Sequence, residues 1–275
     1  MSNIIEKILL LFFIAMVPGM SVAQQQKILV IGDSLAQGLG FGLTRCVQQH
    51  GIVKIQNEGK TSSRLTYNKP FNWFARSEEL AQIGADIVII QIGANDLMSI
   101  RKNGKQIKLG SIEWQSELSA RATQIINSFQ RNDIPVVWVG LPFPRKKAWQ
   151  KPYSIINATF MTAATASNVE FIDIWDAFLI DGKYSSYGLG VNGKNTLLRA
   201  DDGVHFSTQG YVRLQIWFFP RLISSLPKML WCVSNGFKIL YEIYFFTFAI
   251  YIGVLRFFPR AFVKARAYAG KTDDR

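Results

Sequence analysis

Cysteine and histidine are both scarce in this chain. Of its 275 residues only two are cysteine, Cys46 and Cys232, and only two are histidine, His50 and His205. Cys46 falls on a predicted first helix and Cys232 lies near the far end, so a disulfide within one domain is excluded even where an oxidising compartment permits it. These residues do not have the spacing of zinc ligands. We therefore predict no metal and no cofactor.

Acidic residues are outnumbered by basic ones, 19 against 31, which gives a formal net charge of +12 at pH 7. No basic run is interleaved with aromatic residues as in a nucleic-acid-binding motif, so nucleic acid is not a predicted partner. An anionic envelope surface is the simpler partner for this charge. The chain has no internal repeat, and its 49% hydrophobic content is enough for one main domain.

The amino end has the pattern of an export signal. Lys7 precedes an apolar run over 8–17, which is shorter than the ~20 residues that a bilayer span needs. Ser21-Val22-Ala23 then forms a small-x-small pattern. These features predict a signal peptide over residues 1–23, cut after Ala23. An uncleaved anchor helix is the alternative.

A longer apolar run lies near the carboxyl end, over residues 239–258, and Arg260, Lys264 and Arg266 follow it in a basic tail over 259–275. Basic residues on one side of an apolar helix orient that side towards the cytoplasm. The pattern predicts a periplasmic or other extracytoplasmic domain anchored to the cytoplasmic membrane. The alternative is an interfacial helix that lies on anionic lipid.

Between these ends, predicted strands alternate with predicted helices. The strands are expected at 27–31, 53–56, 86–92, 135–140 and 169–174, and the helices at 35–50, 71–83, 112–130, 153–166 and 207–226. Such alternation, with short connections, predicts a five-stranded parallel sheet covered by helices on both faces. The fold class is therefore α/β, a three-layer α/β/α sandwich over residues 26–226, followed by the carboxyl-terminal hydrophobic helix.

Ser34 stands where the first strand turns into the first helix, in Gly32-Asp33-Ser34-Leu35. This is the carboxyl end of a strand, where open α/β sheets bind their ligands. Position alone leaves two interpretations of the serine. It is either a helix N-cap that satisfies backbone donors or a nucleophile.

Two further polar clusters follow later strands, Gly93-Ala94-Asn95-Asp96 and Asp201-Asp202-Gly203-Val204-His205. A serine hydroxyl needs a neighbouring base to act as a nucleophile. His50 ends the first helix, where a cationic side chain interacts favourably with the helix dipole. His205 remains, and Asp202 three residues earlier can orient its imidazole. A capped loop with an exposed histidine is the alternative, but three clusters at one edge of a sheet favour catalysis.

A carbonyl under attack develops negative charge, so hydrogen-bond donors must already point at its oxygen. Asn95 offers its side-chain amide, and Ser34 offers its backbone N–H. Asn95 alternatively closes a turn with Asp96. Arg101 and Arg199 flank the predicted site in sequence and are candidates to bind an anionic substrate. A solvated surface role is the alternative for both arginines.

Gly-Asp-Ser-Leu at 32–35, Gly-x-Asn-Asp at 93–96 and Asp-x-x-His at 202–205, in this order, resemble the blocks of the SGNH (GDSL-type) hydrolases. The resemblance extends over most of residues 27–226, and the sequence around the blocks looks like a bacterial envelope branch of that family. It implies a flavodoxin-like fold and a serine hydrolase that acts on esters without a metal.

Carried over residue by residue, the resemblance implies that Ser34 is the nucleophile and one oxyanion donor, Asn95 a second donor, His205 the base and Asp202 its orienting carboxylate. In the family, a second block supplies a glycine backbone N–H as a third donor. Here Ser62 stands where that glycine is often found, and Gly59 is the alternative. A backbone donor does not require glycine, so Ser62 remains suitable.

Some members of the family add or remove acetyl groups on cell-wall or exported polysaccharide. The resulting hypothesis is an exported serine esterase that hydrolyses or transfers O-acyl groups, above all O-acetyl groups, of an envelope glycan. One alternative is a lipid acyl-ester hydrolase of the lysophospholipase or thioesterase type. Another is a non-catalytic envelope binding or assembly protein that retains the fold, since a fold does not by itself imply a function.

Overall fold

The structure is a computed structural model that describes residues 25–47 and 53–215. Several predictions fall outside the described residues, namely the signal peptide, His50, Cys232, the hydrophobic run at 239–258 and the basic tail at 259–275. Within the described ranges, no helix has both the length and the hydrophobicity that crossing a bilayer would require.

The named strands are β1 (Gln26–Gly32), β2 (Val53–Gly59), β3 (Ile87–Gln91), β4 (Ile100–Lys102), β5 (Lys105–Ile107), β6 (Val136–Val139), β7 (Glu170–Ile172), β8 (Leu179–Ile180), β9 (Lys183–Tyr184), β10 (Tyr187–Leu189) and β11 (Asn195–Leu197). Five of them form a parallel sheet in the spatial order β2-β1-β3-β6-β7. Every residue of the central strand β3 is buried, as expected for a continuous apolar strand covered on both faces. The predicted five-stranded parallel sheet is confirmed.

The named helices are α1 (Ser34–Val47), α2 (Trp73–Leu80), α3 (Ile112–Gln130) and α4 (Lys147–Ala166), and residues 208–215 are also helical. The helices α2, α3 and α4 pack side by side on one face of the sheet, where right-handed crossovers put them. On the other face, α1 packs on β1 and β2. A Cβ on Gly38 would lie 2.0 Å from the ring of Tyr211, so the segment 208–215 lies directly against α1.

The strand order reverses between β1 and β3, because the chain leaves β1 for β2 on one side and returns to β3 on the other. At such a switch point the carboxyl ends of the two strands open a crevice that holds ligands. Ser34 follows β1, and Asn95 lies in the loop after β3. The fold therefore brings these two predicted site residues to the same crevice.

The start of α4 was predicted at Tyr153, directly after Pro152, and this prediction is wrong. The helix begins at Lys147, and Pro152 stands inside it. A proline removes one intrahelical hydrogen bond, but the preceding turn remains packed because Trp149 stacks on Tyr153 with ring centroids 6.3 Å apart. The other boundaries that fall on described residues agree with the predictions within about three residues, and α3 has the predicted bounds.

Three short β-hairpins were not predicted. They pair β4 with β5, β8 with β9, and β10 with β11, in the long connections that follow β3 and β7. Strands of two or three residues are too short to show an alternating pattern in the sequence. The first hairpin nevertheless has a local signal, since Asn103 and Gly104 occupy its turn with φ of 51° and 77°.

Candidate active site

The turn after β1 is fixed by close backbone contact. Gly32 has a φ of 136°, and a Cβ at this position would lie 1.8 Å from the carbonyl oxygen of Gln91 on β3, so only glycine fits. The helix α1 begins two residues later at Ser34. Because Ser34 is the first helical residue, its backbone N–H has no acceptor within the helix and lies at the positive end of the helix dipole. The turn therefore presents a hydroxyl and an N–H together.

Ser34, His205 and Asp202 form one chain of hydrogen bonds. Nε2 of His205 lies 2.7 Å from Oγ of Ser34, and Nδ1 of the same ring lies 2.5 Å from Oδ2 of Asp202. The fold thus joins two sequence clusters that are 171 residues apart. The side chains of His205 and Asp202 are 33% and 48% exposed, so solvent and substrate can reach the ring. The three residues have the geometry of a Ser-His-Asp triad.

The turn from Asp202 to His205 organises itself locally. Oδ1 of Asp202 accepts hydrogen bonds from the backbone N–H groups of Val204 at 2.8 Å and His205 at 2.9 Å. Burial alone would raise the pKa of Asp202, but the hydrogen bonds from the His205 ring and from the two N–H groups outweigh it and hold the pKa below its usual range. Asp202 therefore remains ionised and can orient the imidazole and stabilise its charged form.

Arg199 is not available to a substrate, so its prediction as a substrate-binding residue is wrong. It is only 1% exposed. Its Nη2 donates to the carbonyl oxygen of Val204 at 3.1 Å, and its guanidinium lies 4.9 Å from the ring centroid of Phe206 and 5.0 Å from that of Tyr184. Burial lowers its pKa. Arg199 instead supports the loop of Asp202 and His205 from the interior.

Arg101 has the opposite environment. It lies on β4 and is exposed, in the connection that follows β3 at the carboxyl edge of the sheet. Its position is compatible with contact to a bound substrate, and that role stays a prediction.

Among the described residues, no group of three or more histidine, cysteine, aspartate or glutamate side chains could hold a metal ion.

Asn95 contacts the loop that carries Ser62. One N–H of its side-chain amide donates to the carbonyl oxygen of Ser63 at 3.1 Å. A side-chain amide has two N–H groups, so the second remains for a substrate oxygen. Ser62 has a φ of 61°, in the left-handed region that favours glycine. This serine therefore has the backbone conformation of a glycine at the position predicted for the third donor.

Gly59, the alternative third donor, is already occupied by structural contacts. It is the last residue of β2, and its N–H donates to Oδ1 of Asn57 at 3.1 Å. A Cβ on Gly59 would lie 2.4 Å from the backbone nitrogen of Gln37 on α1. These contacts account for the glycine through packing, and they favour Ser62 over Gly59 as a donor.

Asp33 has a role that the sequence analysis missed. Its carboxylate is buried and accepts three backbone hydrogen bonds, from Leu35 at 2.9 Å, Gly93 at 3.0 Å and Ala94 at 2.9 Å. Burial raises its pKa to about 7, although the backbone hydrogen bonds oppose the shift. Asp33 therefore ties the turn of Ser34 to the loop of Asn95. A charged residue directly after a buried strand is the signal that could have revealed it.

Asp96 makes the corresponding connection on the other side of Asn95. It is buried, and its Oδ1 accepts hydrogen bonds from the backbone N–H groups of Leu65 at 2.8 Å and Thr66 at 2.6 Å. Burial raises its pKa. The loops after β1, β2 and β3 are thus held together by two buried carboxylates, one on each side of the Asn95 amide.

Comparison with known families and solved structures identifies the family of this chain and its fold. A family model described as "Protein of unknown function (DUF459)" matches residues 27–220, whereas no curated protein is detectably similar in sequence. Among solved structures, the chain is similar to a GDSL-like lipase from Bacteroides thetaiotaomicron, with 14% identity, a TM-score of 0.51, and coverage of 74% of this chain and 90% of that one. An acetylxylan esterase from Geobacillus stearothermophilus gives 20% identity, a TM-score of 0.51, and coverage of 73% and 95%.

A third similar structure, of a protein from Bacteroides ovatus described as a GDSL-like lipase, has 17% identity and a TM-score of 0.51. It covers 74% of this chain, but the chain spans only about half, 54%, of that protein's length. At these identities the solved structures establish the fold alone. The sheet order, the position of the crevice and the matched family model all agree. The chain belongs to the DUF459 family and has the fold of the SGNH (GDSL-type) hydrolases.

Proposed function

We propose that this protein is a serine esterase in which Ser34 is the nucleophile, His205 the general base and Asp202 the carboxylate that orients the base. The observation that carries the proposal is the unbroken hydrogen-bonded chain from Oγ of Ser34, through both nitrogens of His205, to Oδ2 of Asp202. The fold shared with solved GDSL-like lipases and an acetylxylan esterase supports ester hydrolysis.

In the proposed reaction, Oγ of Ser34 attacks the ester carbonyl carbon while Nε2 of His205 takes the hydroxyl proton. The resulting imidazolium is stabilised by ionised Asp202. As the tetrahedral intermediate collapses, the bond to the alcohol breaks and His205 returns the proton to the departing oxygen. Water, activated by His205, then attacks the acyl-serine and releases the acid. A sugar hydroxyl in place of water would make the same site an acyltransferase.

The negative charge on the carbonyl oxygen needs preorganised donors, each of which contributes about 10²- to 10³-fold in rate. The backbone N–H of Ser34, the second side-chain N–H of Asn95 and the backbone N–H of Ser62 are the proposed donors. The contact from Asn95 to Ser63 at 3.1 Å supports this assignment, because it joins the loops that carry two of the three donors.

The proposed substrate is an O-acyl, above all O-acetyl, ester on an envelope glycan. The acetylxylan esterase of the same fold supports a small acyl group. A second candidate, a lipid acyl ester, is favoured by a groove of about 490 Å³ that is lined in part by Phe41, Phe206 and Tyr211. Phe206 directly follows His205 in the chain. Acetyl and octanoyl p-nitrophenyl esters separate the two candidates, since only the second predicts faster cleavage of the octanoyl ester.

The proposed location is extracytoplasmic, with the carboxyl-terminal run as a membrane anchor. This part of the proposal rests on the sequence patterns at the two ends of the chain. N-terminal sequencing of the mature protein is expected to begin at Gln24, after removal of residues 1–23. A chain that retains Met1 and resists external protease in intact spheroplasts would contradict it.

The test of the proposed nucleophile compares the full-length protein with its Ser34→Ala variant. We expect the variant to lose at least about 1,000-fold of the p-nitrophenyl acetate activity and to lose labelling by a fluorophosphonate, with the label of the unaltered protein mapped to the Ser34 peptide. Ser167→Ala is the matched control, because Ser167 follows α4 at the opposite edge of the sheet. Equal rates for Ser34→Ala and the unaltered protein would favour a non-catalytic binding protein.

A further inference from the structure

The loops around the candidate site carry an unusual excess of positive charge. The connections over 60–72, 92–111 and 140–146 follow β2, β3 and β6 at the carboxyl edge of the sheet. They contain nine basic residues, namely Lys60, Arg64, Lys69, Arg101, Lys102, Lys105, Lys108, Arg145 and Lys146. The single acidic residue in the same three loops is Asp96, which is buried. We name this set of nine residues the basic rim.

The opposite edge of the sheet shows that this charge is not a general property of the surface. The connections over 81–86, 131–135 and 167–169 contain one basic residue, Arg131, and two acidic ones, Asp86 and Asp133. Net charge far from zero has consequences for solubility and association rather than for the fold. The fourth connection at the carboxyl edge, 173–207 after β7, contains five aspartates and three basic residues, so the excess of positive charge is confined to the loops after β2, β3 and β6. A local concentration of positive charge favours contact with a negatively charged partner.

The basic rim is exposed, and most of it is not neutralised. Eight of the nine residues are exposed and Arg64 is half-buried. Lys102 pairs with Glu117, and no other member has a carboxylate within ion-pair distance in the part of the chain that the structure describes. Basic residues that are not neutralised by internal ion pairs create a positive electrostatic potential that extends into the adjoining crevice.

The positive charges of the β4–β5 hairpin destabilise the pairing of its two strands. Lys102 and Lys105 are direct partners across the two strands, and like charges in that position destabilise a strand pair. The turn itself is secured by Asn103 and Gly104, both with positive φ. Lys102 pairs with Glu117 of α3, whereas Arg101 and Lys105 have no carboxylate within ion-pair distance among the described residues. The charge of these two residues is therefore not explained by the folding of the hairpin.

The rim also touches both sides of the candidate site. Arg64 donates through Nη2 to the carbonyl oxygen of Ser62 at 3.2 Å, on the side of the proposed oxyanion donors. Arg145 donates through its backbone N–H to the carbonyl oxygen of Gly203 at 2.9 Å, and through its side chain to Asp201, on the side of the His205 loop. A chain that is longer than the scissile ester and crosses the site would meet positive charge on both sides.

The rim suits a hydrated polymer better than a bilayer. A surface that docks on a bilayer combines basic residues with apolar side chains that enter the interface. In the three rim loops, the large apolar residues exposed by a third or more are Tyr67 at 44% and Met98 at 36%. Nucleic acid is disfavoured because its phosphodiesters are not carboxylic esters. A glycan that carries both acyl esters and anionic groups combines a cleavable ester with the negative charge that the rim attracts.

We propose that the basic rim binds an anionic glycan, so that the ester cleaved at Ser34 is an O-acyl group on a polymer bearing carboxylates or phosphates. This rests on the proposed esterase function and names its substrate class. The shared chemistry is a hydrated polyanion. Basic residues on both sides of the crevice would attract the chain and keep successive acyl groups near the nucleophile.

The test uses the full-length protein and three O-acetylated polymers with the same dextran backbone, one neutral, one carboxymethylated and one phosphorylated. Acetate release is measured at about 20 mM and about 0.5 M ionic strength, where the Debye length falls from roughly 20 Å to roughly 4 Å. We expect kcat/KM at low salt to be about tenfold or more higher on an anionic polymer than on the neutral one. At high salt the two values should converge. The carboxymethylated and phosphorylated polymers show which anion is preferred.

The variant Arg101→Glu/Lys105→Glu is expected to lose most of the preference for the anionic polymer, measured as the ratio of kcat/KM on anionic to neutral dextran. Its control is Lys54→Glu/Lys151→Glu, which changes the net charge equally at exposed positions outside the rim and outside the groove and should keep the ratio. If the unaltered protein cleaves p-nitrophenyl acetate but has an equal kcat/KM on the charged and neutral polymers, the inference is overturned while the proposed esterase function stands. Loss of the ratio in both variants, or salt-sensitive binding to anionic lipid vesicles without preference for an anionic polymer, would also overturn it. Failure to cleave any ester would instead overturn the proposed function.

Discussion

Ser34 is positioned by the interior of the domain, whereas His205 is positioned by its own loop. The turn of Ser34 depends on Gly32 against Gln91 and on buried Asp33, which bonds to backbone groups about 60 residues away. The turn of His205 depends on Asp202 three residues earlier, and both of these side chains are partly exposed. The proposed nucleophile is thus held by buried contacts of the sheet, and the proposed base is carried by a surface loop that one buried arginine supports.

The largest effect is expected from a substitution in the loop of Asp202 and His205. Asp202→Asn should lower kcat for p-nitrophenyl acetate by about 10³- to 10⁴-fold, because a neutral amide no longer stabilises the imidazolium. Its remaining oxygen can still accept from the backbone of Val204 and His205, so the melting temperature should change little. Kinetics and thermal denaturation monitored by circular dichroism measure both. A loss of less than tenfold in kcat would show that Asp202 does not serve His205.

A substitution of the buried residue that holds the turn of Ser34 is expected to lower the stability of the protein. Asp33→Ala leaves three backbone N–H groups without their acceptor, and at about 1–3 kcal/mol for each buried group we expect the free energy of unfolding to fall by about 3–5 kcal/mol. Urea denaturation provides the measurement. Asp173→Ala is the control, since Asp173 is exposed and accepts one local hydrogen bond from Trp175. Equal effects of the two variants would show that Asp33 does not hold the loops together.

The same contrast predicts a pH dependence. The pKa of Asp33 is about 7 in the folded protein and about 3.9 in an unfolded chain. The folded state therefore binds the proton of the Asp33 carboxyl more tightly than the unfolded chain does. The resulting contribution to the free energy of unfolding is complete below about pH 4 and is lost as the pH rises through 7. The slope reaches at most about 1.4 kcal/mol per pH unit.

Asp96, with its raised pKa, changes stability in the same direction. Asp202, with its lowered pKa, loses its contribution only in stronger acid, as the pH falls through the folded pKa. Urea denaturation of the unaltered protein and of Asp33→Asn at pH 5 and pH 8 isolates Asp33. A stability difference between the two pH values that Asp33→Asn does not reduce would contradict its raised pKa.

A smaller effect is expected from the arginine that supports the base. Arg199→Met should lower kcat by about tenfold, because the loop of His205 loses the donor to its carbonyl groups. Stability should change by less than about 1 kcal/mol, since an apolar chain replaces a buried charge that is costly to keep. Arg131→Met at the opposite edge is the control. If kcat is unchanged, Arg199 serves packing alone.

The smallest effect is expected at Ser62. Ser62→Gly keeps the backbone N–H and relieves a positive φ, so kcat should stay within about twofold while the free energy of unfolding rises by about 0.5–1 kcal/mol. Steady-state kinetics and urea denaturation test this. A loss of more than tenfold in kcat would show that the Ser62 hydroxyl, and not the N–H, is the functional group.

Much of the fold was predictable because it depends on patterns along the chain. Buried β-branched runs and intervening periodic segments indicated the five-stranded sheet, and α3 has the predicted bounds. The spacing of Asp202 and His205 was also visible, since their contact is local. The short hairpins escaped notice because strands of two or three residues leave no periodic pattern. The start of α4 was predicted too late, since the helix continues through Pro152 to Lys147.

The residues that hold the site together were harder to predict. An arginine in a sequence is usually solvated, and nothing along the chain shows that Arg199 lies under the loop it precedes. Asp33 and Asp96 were visible within their motifs, but their partners Gly93, Ala94 and Leu65 become neighbours only when the parallel strands align. Such bonds depend on the register of the sheet.

The segment 199–211 is attached to the domain at both of its ends. Arg199 is bridged to Phe206 and buried at one end, and Tyr211 rests on Gly38 of α1 at the other, where not even a methyl group would fit. Between these attachments, His205 and Asp202 form their mutual hydrogen bonds within four residues of the same segment. A loop from another member of the family, joined at the same two fixed points, is expected to place its side chains at the same distance from Ser34. The segment 199–211 is therefore a suitable unit for exchanging the proposed base and its carboxylate between members of the family.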